Sequence, residues 1–149
     1  MINLEQLYSE IANGNTDAYN FILSWQTHVH TVDDIVDKKI NDVEAIIKSY
    51  INAQSITQSP FFLANRDFLW SQLLLAANSY LDSEAWKDEI GWKKQVSDFL
   101  RSYPNEMLLI TAMLTTKPEE SPWDRVRNIS LKLREYSYSE HHDNDGNPV

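Results

Sequence analysis

Four polar residues in one short stretch carry side chains suited to metal-assisted chemistry. His30, Asp33, Asp34 and Asp37 lie at relative positions 0, 3, 4 and 7, and this spacing places His30, Asp33 and Asp37 in one column along a helix. The valines between them make the helix amphipathic, so the acids flank the side that packs in the core. Carboxylates beside a core are costly unless a positive charge neutralises them, and a divalent cation would do so.

A second pair of oxygen ligands occurs in the most apolar part of the chain. Asn78 and Asp82 are four residues apart, so they share one face of a helix. If this helix packs antiparallel to the helix of Asp33 and Asp37, four oxygen ligands converge. Mg²⁺ and Mn²⁺ prefer oxygen-rich sites, and facing helices of bundles commonly build them. The sequence therefore predicts a divalent metal site, for Mg²⁺ or Mn²⁺, made by Asp33, Asp37, Asn78 and Asp82.

His30 and Asp34 are the candidates for proton transfer in this predicted site. Histidine titrates near neutral pH, and a carboxylate can activate a metal-bound water. The predicted function is a divalent-metal-dependent hydrolase acting on a phosphorylated small molecule such as a nucleotide. The alternative is that the acids form a solvated helix face, as charge clusters usually do. The chain is then a non-enzymatic structural or protein-interaction helical protein, for which a homo-oligomer is an expected form.

Two classes of all-α enzymes have a similar arrangement of acids. The segment Asp33-Asp34-Ile35-Val36-Asp37 resembles the DDxxD motif of the all-α trans-isoprenoid synthases, whose aspartates bind the Mg²⁺ ions that hold a substrate diphosphate. This resemblance covers five residues and their helical setting, and it implies Mg²⁺ binding without extending to the fold. The layout of acids on two facing helices also resembles the all-α nucleoside triphosphate pyrophosphatases, although their motifs are rich in glutamate where this chain has aspartate.

Composition indicates the fold class. The 149 residues include 42% hydrophobic residues and five tryptophans but only three glycines and five prolines. A chain of this length can bury a core, and so few turn residues favour a small number of long elements. We therefore expect one all-α domain, a helical bundle of five to seven helices, over residues 1–136. Residues 137–149 are polar and are expected to form a disordered tail.

Charge and residue usage argue against several functions. The formal net charge of −9 disfavours binding to nucleic acid or to an anionic membrane surface, both of which require basic patches. The absence of cysteine excludes disulfides and thiolate chemistry. The N-terminus lacks the features of a secretory signal, and no stretch reaches the length of a membrane span. A cytoplasmic location is the expectation.

The helices that must position the acids can be placed approximately. Residues 16–52 form either one long helix or two, the second capped by Asn41 or Asp42. A helix from Phe61 to about Leu81 is apolar nearly all round, which predicts that neighbours cover it on several sides. The tryptophans are expected to pack in the core. The apolar stripe of the second half of residues 16–52 is Val43, Ile46, Ile47, Tyr50 and Ile51.

Overall fold

The computed structural model describes residues 2–37, 39 and 42–141, excluding the side chains of Tyr138, Glu140 and His141. All regular elements in these residues are helical, so the predicted all-α, single-domain helical bundle is confirmed. The described residues form eight α-helices: seven have nine residues or more, and α4 has only five. The elements are α1 (Leu4–Ala12), α2 (Thr16–Val36), α3 (Val43–Thr57), α4 (Pro60–Ala64), α5 (Arg66–Trp86), α6 (Trp92–Arg101), a 3₁₀ helix (Tyr103–Asn105), α7 (Glu106–Leu114) and α8 (Pro122–His141).

Side-chain caps fix where several helices begin. The Asn15 side chain accepts a hydrogen bond from the backbone N–H of Ala18 at 3.0 Å, so α2 starts at Thr16. Asp42 likewise accepts from the N–H of Glu44 at 2.9 Å and starts α3. Such bonds satisfy donors that have no partner within the helix. Residues 16–52 therefore contain two helices, which is one of the two alternatives left open by the sequence.

The central apolar segment is interrupted near its start. The helix predicted from Phe61 to about Leu81 is two helices, α4 and α5, separated at Asn65. The side-chain amide of Asn65 donates to the carbonyl of Phe61 at 3.0 Å. Because asparagine side chains compete for backbone groups in this way, they favour turns and helix ends.

The core lies where α1, the first half of α2, α4, α5, α7 and α8 meet. Trp25 is 4% exposed, and its indole N–H donates to the carbonyl of Pro104 at 3.0 Å. This bond removes the cost of burying the indole nitrogen. The largest fully buried side chains include Phe21, Phe62, Ile11, Ile22, Leu69, Met107, Leu108, Ile129 and Leu133.

Arg125 of α8 ties together the ends of two other helices. Its guanidinium donates to the carbonyl of Glu10 at 2.8 Å and also to the carbonyl of Ala112. These carbonyls belong to the last turns of α1 and α7, where backbone acceptors lack helical partners and the helix dipole favours a cation. One charged side chain thus fastens α8 to the ends of α1 and α7.

The C-terminal helix extends past the predicted domain end. The structure has α8 continuing to His141, five residues beyond the predicted boundary at residue 136. The rest of the predicted tail, residues 142–149, lies outside the described residues. Of the helices in the described part of the chain, none combines the length and the apolar character needed to cross a membrane.

Candidate functional site

The carboxylate of Asp33 meets a tyrosine and an arginine. The hydroxyl of Tyr80 on α5 donates to Asp33 Oδ1 at 2.8 Å, and Arg101 Nη1, at the end of α6, donates to the same oxygen at 3.2 Å. Arg101 Nη1 also lies 4.0 Å from Asp37 Oδ1. A guanidinium therefore supplies positive charge where the sequence analysis placed a divalent cation.

Glu84 of α5 completes this group, which we call the Arg101 cluster: Asp33, Asp37, Tyr80, Glu84 and Arg101. The second terminal nitrogen of Arg101 donates to Glu84, and the guanidinium carbon lies 5.5 Å from the centre of the Tyr80 ring. The Arg101 side chain is 26% exposed. A planar guanidinium suits contacts with two carboxylates and an aromatic face. The cluster thus joins α2, α5 and α6.

Charges in the Arg101 cluster fix its protonation state. Burial alone would raise the pKa of Glu84, but hydrogen bonds from Lys87 and Arg101 outweigh it and lower that pKa. Burial, followed by the hydrogen bond to Asp33, raises the pKa of Tyr80 above its usual 10.0. At neutral pH Glu84 is therefore ionised and Tyr80 is neutral. A general acid or base works best with a pKa near the operating pH, so Glu84 and Tyr80 are suited to structure rather than proton transfer.

Asn78 and Asp82 lie on another side of α5. The amide nitrogen of Asn78 donates to Asp82 Oδ2 at 3.2 Å, and both residues are exposed. Each is two positions from Tyr80, which is a rotation of about 160° around the helix, and Tyr80 faces Asp33. Asn78 therefore contacts Asp82, and Arg101 lies between Asp33 and Asp37. The two pairs do not come together, because Asn78 and Asp82 face away from α2. Within residues 2–37, 39 and 42–141, no group of three or more His, Cys, Asp or Glu residues could hold a metal ion. The metal site stays a prediction from the sequence.

The two residues predicted to transfer protons lie on the same half of α2. His30 is exposed. Asp34 is half-buried and lies 3.6 Å from the amine of Lys39, which is also 3.7 Å from Asp37. These contacts are partly exposed ion pairs, which contribute little to stability. Their catalytic role stays a prediction.

His28 is the more unusual histidine, and no role was predicted for it from the sequence. Its Nδ1 atom is buried and has no hydrogen-bond partner among the described residues. The centre of its ring lies 6.3 Å from that of Trp25, and burial lowers the pKa of His28. The available signal was its position three residues after Trp25, on the inward side of the same helix.

The largest departure from expectation is the orientation of α3. Its apolar stripe points outward: Tyr50 and Val43 are 75% and 73% exposed, and the other three residues are 44–55% exposed. Small residues of α3, with Ser49 buried and Ala45 and Ala53 half-buried, lie on the opposite side, and α3 packs against α2. We call the outward stripe the α3 face: Val43, Ile46, Ile47, Tyr50 and Ile51. An apolar stripe at helical spacing usually faces the core, but this one does not.

The outer side of α5 is also apolar and uncovered. Buried positions on α5 include Ala76, Ser79 and Ser83, and the Ser97 hydroxyl of α6 donates to the carbonyl of Ser83 at 2.7 Å. Small side chains thus let α6 approach α5 closely, while several larger side chains of α5 point outward. The prediction that neighbours cover the segment from Phe61 to about Leu81 on several sides therefore holds for Phe61, Phe62 and Leu69, which are buried, and is wrong for the outer side of α5. The large apolar residues exposed on α5 are Phe68, Trp70, Leu74, Leu75 and Leu81. Outside α5, Trp92 and Trp123 are 64% and 70% exposed. The prediction that the tryptophans pack in the core is therefore wrong for these two.

Comparison of the chain with protein-family models, with curated proteins and with solved structures gives no match. Its function therefore has to be inferred from its own residues. These present two contrasting features, a cluster in which one guanidinium meets three carboxylates and an exposed apolar helix face.

Proposed function

We propose that this protein is a non-enzymatic, protein-binding helical domain and that the α3 face is its binding surface. The observation that carries the proposal is the exposure of five large apolar side chains at helical spacing, 44–75% each. Scattered apolar residues on a surface need no explanation, whereas a contiguous patch marks an interaction site.

The energy at stake is large for one short helix. Complete burial of an aliphatic side chain stabilises by about 1.5–3 kcal/mol. Five such side chains, each about half exposed, leave on the order of 5 kcal/mol that a binding partner can recover. This amount is comparable with the whole stability of a small domain, about 5–15 kcal/mol. This energy offsets part of the cost of association, about 4–15 kcal/mol, so the α3 face can contribute the apolar share of a binding site.

The packing of α3 supports this proposal. The helix approaches α2 through Ala45, Ser49 and Ala53, with Ile56 buried near its end. Small side chains let helices pack closely, so the contact with α2 does not need the large residues of the α3 face. The large residues of the α3 face are therefore available to bind another molecule.

Asp33 and Asp37 of α2 have a structural role in this proposal. The Arg101 cluster anchors the second half of α2 to α5 and α6, and α3 rests on α2. The cluster thus supports the helix that carries the α3 face. The metal-dependent hydrolase remains a prediction from the sequence. The metal binding that it requires is tested by unfolding the wild type and Asp37→Ala with Mg²⁺ or Mn²⁺.

A photo-crosslinking amino acid placed in α3 tests the proposal in the producing cell. We expect substitution of Tyr50 with benzoyl-phenylalanine to give a covalent protein adduct, either with another copy of the chain or with a different protein. The matched control is the same substitution at Asn20, which is exposed on α2 and lies outside the α3 face. Absence of any adduct at Tyr50 beyond that at Asn20 would contradict the proposal.

A further inference from the structure

We infer that the α3 face binds the α3 face of a second copy, with the two helices antiparallel. This inference rests on the proposed function, since it names the partner of the same surface. Three observations carry it: the spacing of the apolar residues, the charges beside them, and the area that they leave uncovered.

The spacing is that of a helix-pairing seam. Val43, Ile47 and Tyr50 lie at positions i, i+4 and i+7, the alternation of four and three residues that brings side chains along one line when two helices pair. Ile46 and Ile51 flank this line. A seam of two turns on a regular helix is matched in length and shape by an identical helix, as closed twofold symmetry requires.

The charges beside the seam favour the antiparallel arrangement. Glu44 and Lys48 form an ion pair at 2.8 Å along one edge of the α3 face. In a parallel pair, twofold symmetry places this edge on opposite sides of the seam in the two copies, so Glu44 and Lys48 of one copy do not face those of the other. In an antiparallel pair centred on Ile47, the same edges of the two helices adjoin, and Glu44 of each copy lies about 3 Å along the axis from Lys48 of the other. The two Lys48 residues approach each other equally closely, but opposite-charge approaches outnumber this one, so the net interaction across the seam is weakly favourable.

The local charge also reduces the penalty for self-association. The chain has a formal net charge of −9, which repels a second copy at long range. At physiological salt, however, such repulsion is screened beyond about 8 Å. At the seam itself, Glu44 and Lys48 together carry no net charge, so this ion pair adds no net charge to the edge of the interface.

The uncovered area fits the apolar centre of a dimer interface. With on the order of 100 Å² for a buried aliphatic side chain and about 200 Å² for tyrosine, the α3 face leaves roughly 400 Å² of apolar surface per copy. A stable interface buries about 800 Å² per partner, somewhat over half of it apolar. The α3 face accounts for most of that apolar share, and the polar residues along its edges supply the rim.

Single cysteines test the pairing directly, because the chain contains no cysteine of its own. In an antiparallel pair centred on Ile47, the two Ile47→Cys residues lie within disulfide reach, whereas two Val43→Cys residues lie about 12 Å apart along the axis. We therefore expect rapid disulfide dimers from Ile47→Cys and slow ones from Val43→Cys alone. A mixture of Val43→Cys with Ile51→Cys should form the mixed dimer. Asn20→Cys, exposed on α2, measures random collision.

Light scattering on the wild-type chain provides a measurement that needs no variant. We expect two chains per particle, and we expect Ile47→Glu to raise the dissociation constant about 30-fold or more, as for a central apolar anchor. Equal and rapid crosslinking of Val43→Cys and Ile47→Cys would overturn the antiparallel arrangement. A wild-type monomer at the highest attainable concentration, with Ile47→Cys no faster than Asn20→Cys, would overturn self-pairing. In that case a Tyr50 adduct with a different protein would leave the proposed function standing, whereas no adduct would overturn both.

Discussion

Replacing Arg101 with methionine tests whether a guanidinium neutralises the acids of α2. The substitution keeps much of the side-chain volume but leaves Asp33, Asp37 and Glu84 without this counter-charge. Removing one partner of a fully buried ion pair costs about 3–5 kcal/mol, and of an exposed pair about 0–1 kcal/mol. Arg101, Asp33 and Glu84 have side chains 26%, 33% and 20% exposed, so the expected cost lies between these limits, about 2 kcal/mol.

This cost is measurable by thermal and urea unfolding followed by circular dichroism. For a chain of this size, about 2 kcal/mol lowers the unfolding midpoint by roughly 4–8 °C. The matched control is Lys94→Met on the same helix, which removes the 2.7 Å ion pair between Lys94 and Asp98. The side chains of Lys94 and Asp98 are 46% and 56% exposed. We expect the control to cost less than about 1 kcal/mol.

The pH dependence gives this prediction a specific signature. The pKa of Glu84 is lowered in the folded state, so its contribution to stability is complete above its unfolded value near 4.5 and is lost as the pH falls through the folded value. The difference between wild type and Arg101→Met should therefore shrink in acid. A neutral effect of Arg101→Met at pH 7, or a difference that does not change with pH, would refute the role assigned to Arg101.

Three further predictions follow from individual side chains. Burial lowers the pKa of His28 from 6.5, so stability should fall as the pH drops below 6.5 through the folded value, and His28→Gln should flatten this dependence in pH-resolved unfolding. Arg125→Met should cost about 2–4 kcal/mol in urea unfolding because helix-end carbonyls lose a buried donor, whereas Arg127→Met at an exposed position should stay within about 0.5 kcal/mol. Because Asp37 is already near Arg101, we expect Mg²⁺ or Mn²⁺ to leave the unfolding midpoint unchanged. A metal-dependent rise that Asp37→Ala lacks would instead support the predicted metal site.

Local signals in the sequence were sufficient to predict the class of fold and several helix boundaries. Asp42 was one of two predicted caps for α3, and the Ser59–Pro60 start of α4 has the cap and first-turn proline that such boundaries favour. These signals act over three or four residues, so a sequence contains them directly. The break at Asn65 was missed because asparagine is tolerated inside helices as well as at their ends.

Periodicity showed that α3 has an apolar stripe but not what the stripe contacts. The same pattern arises whether the partner belongs to the same chain or to another molecule. The small residues Ala45, Ser49 and Ala53 form a second stripe of the same period, and such a stripe permits close helix packing. Two stripes of the same period on one helix indicate two contact surfaces. The small residues of α3 suit a closely packed helix, and the large apolar residues suit a second partner.

The counter-charge for the acids of α2 was beyond local reasoning. Arg101 lies 68 residues after Asp33 in the chain, and it is one of 13 lysines and arginines. Spacing identifies carboxylates that share a helix face, but only tertiary packing selects the cation that approaches them. A column of acids at the edge of a core therefore predicts a positive partner without distinguishing a metal ion from a guanidinium.

The Arg101 cluster and the α3 face make a joint prediction because both act through α2. Ile47→Glu changes an exposed residue, so it should weaken pairing about 30-fold or more while leaving the stability of the single chain nearly unchanged. Arg101→Met weakens the attachment of α2 to α5 and α6, so it should lower stability first and pairing as a consequence. In a dimer, the unfolding midpoint rises with protein concentration by mass action. That concentration dependence should disappear in Ile47→Glu and persist, from a lower starting midpoint, in Arg101→Met. The reverse pattern would mean that the chain associates through the Arg101 cluster rather than through α3.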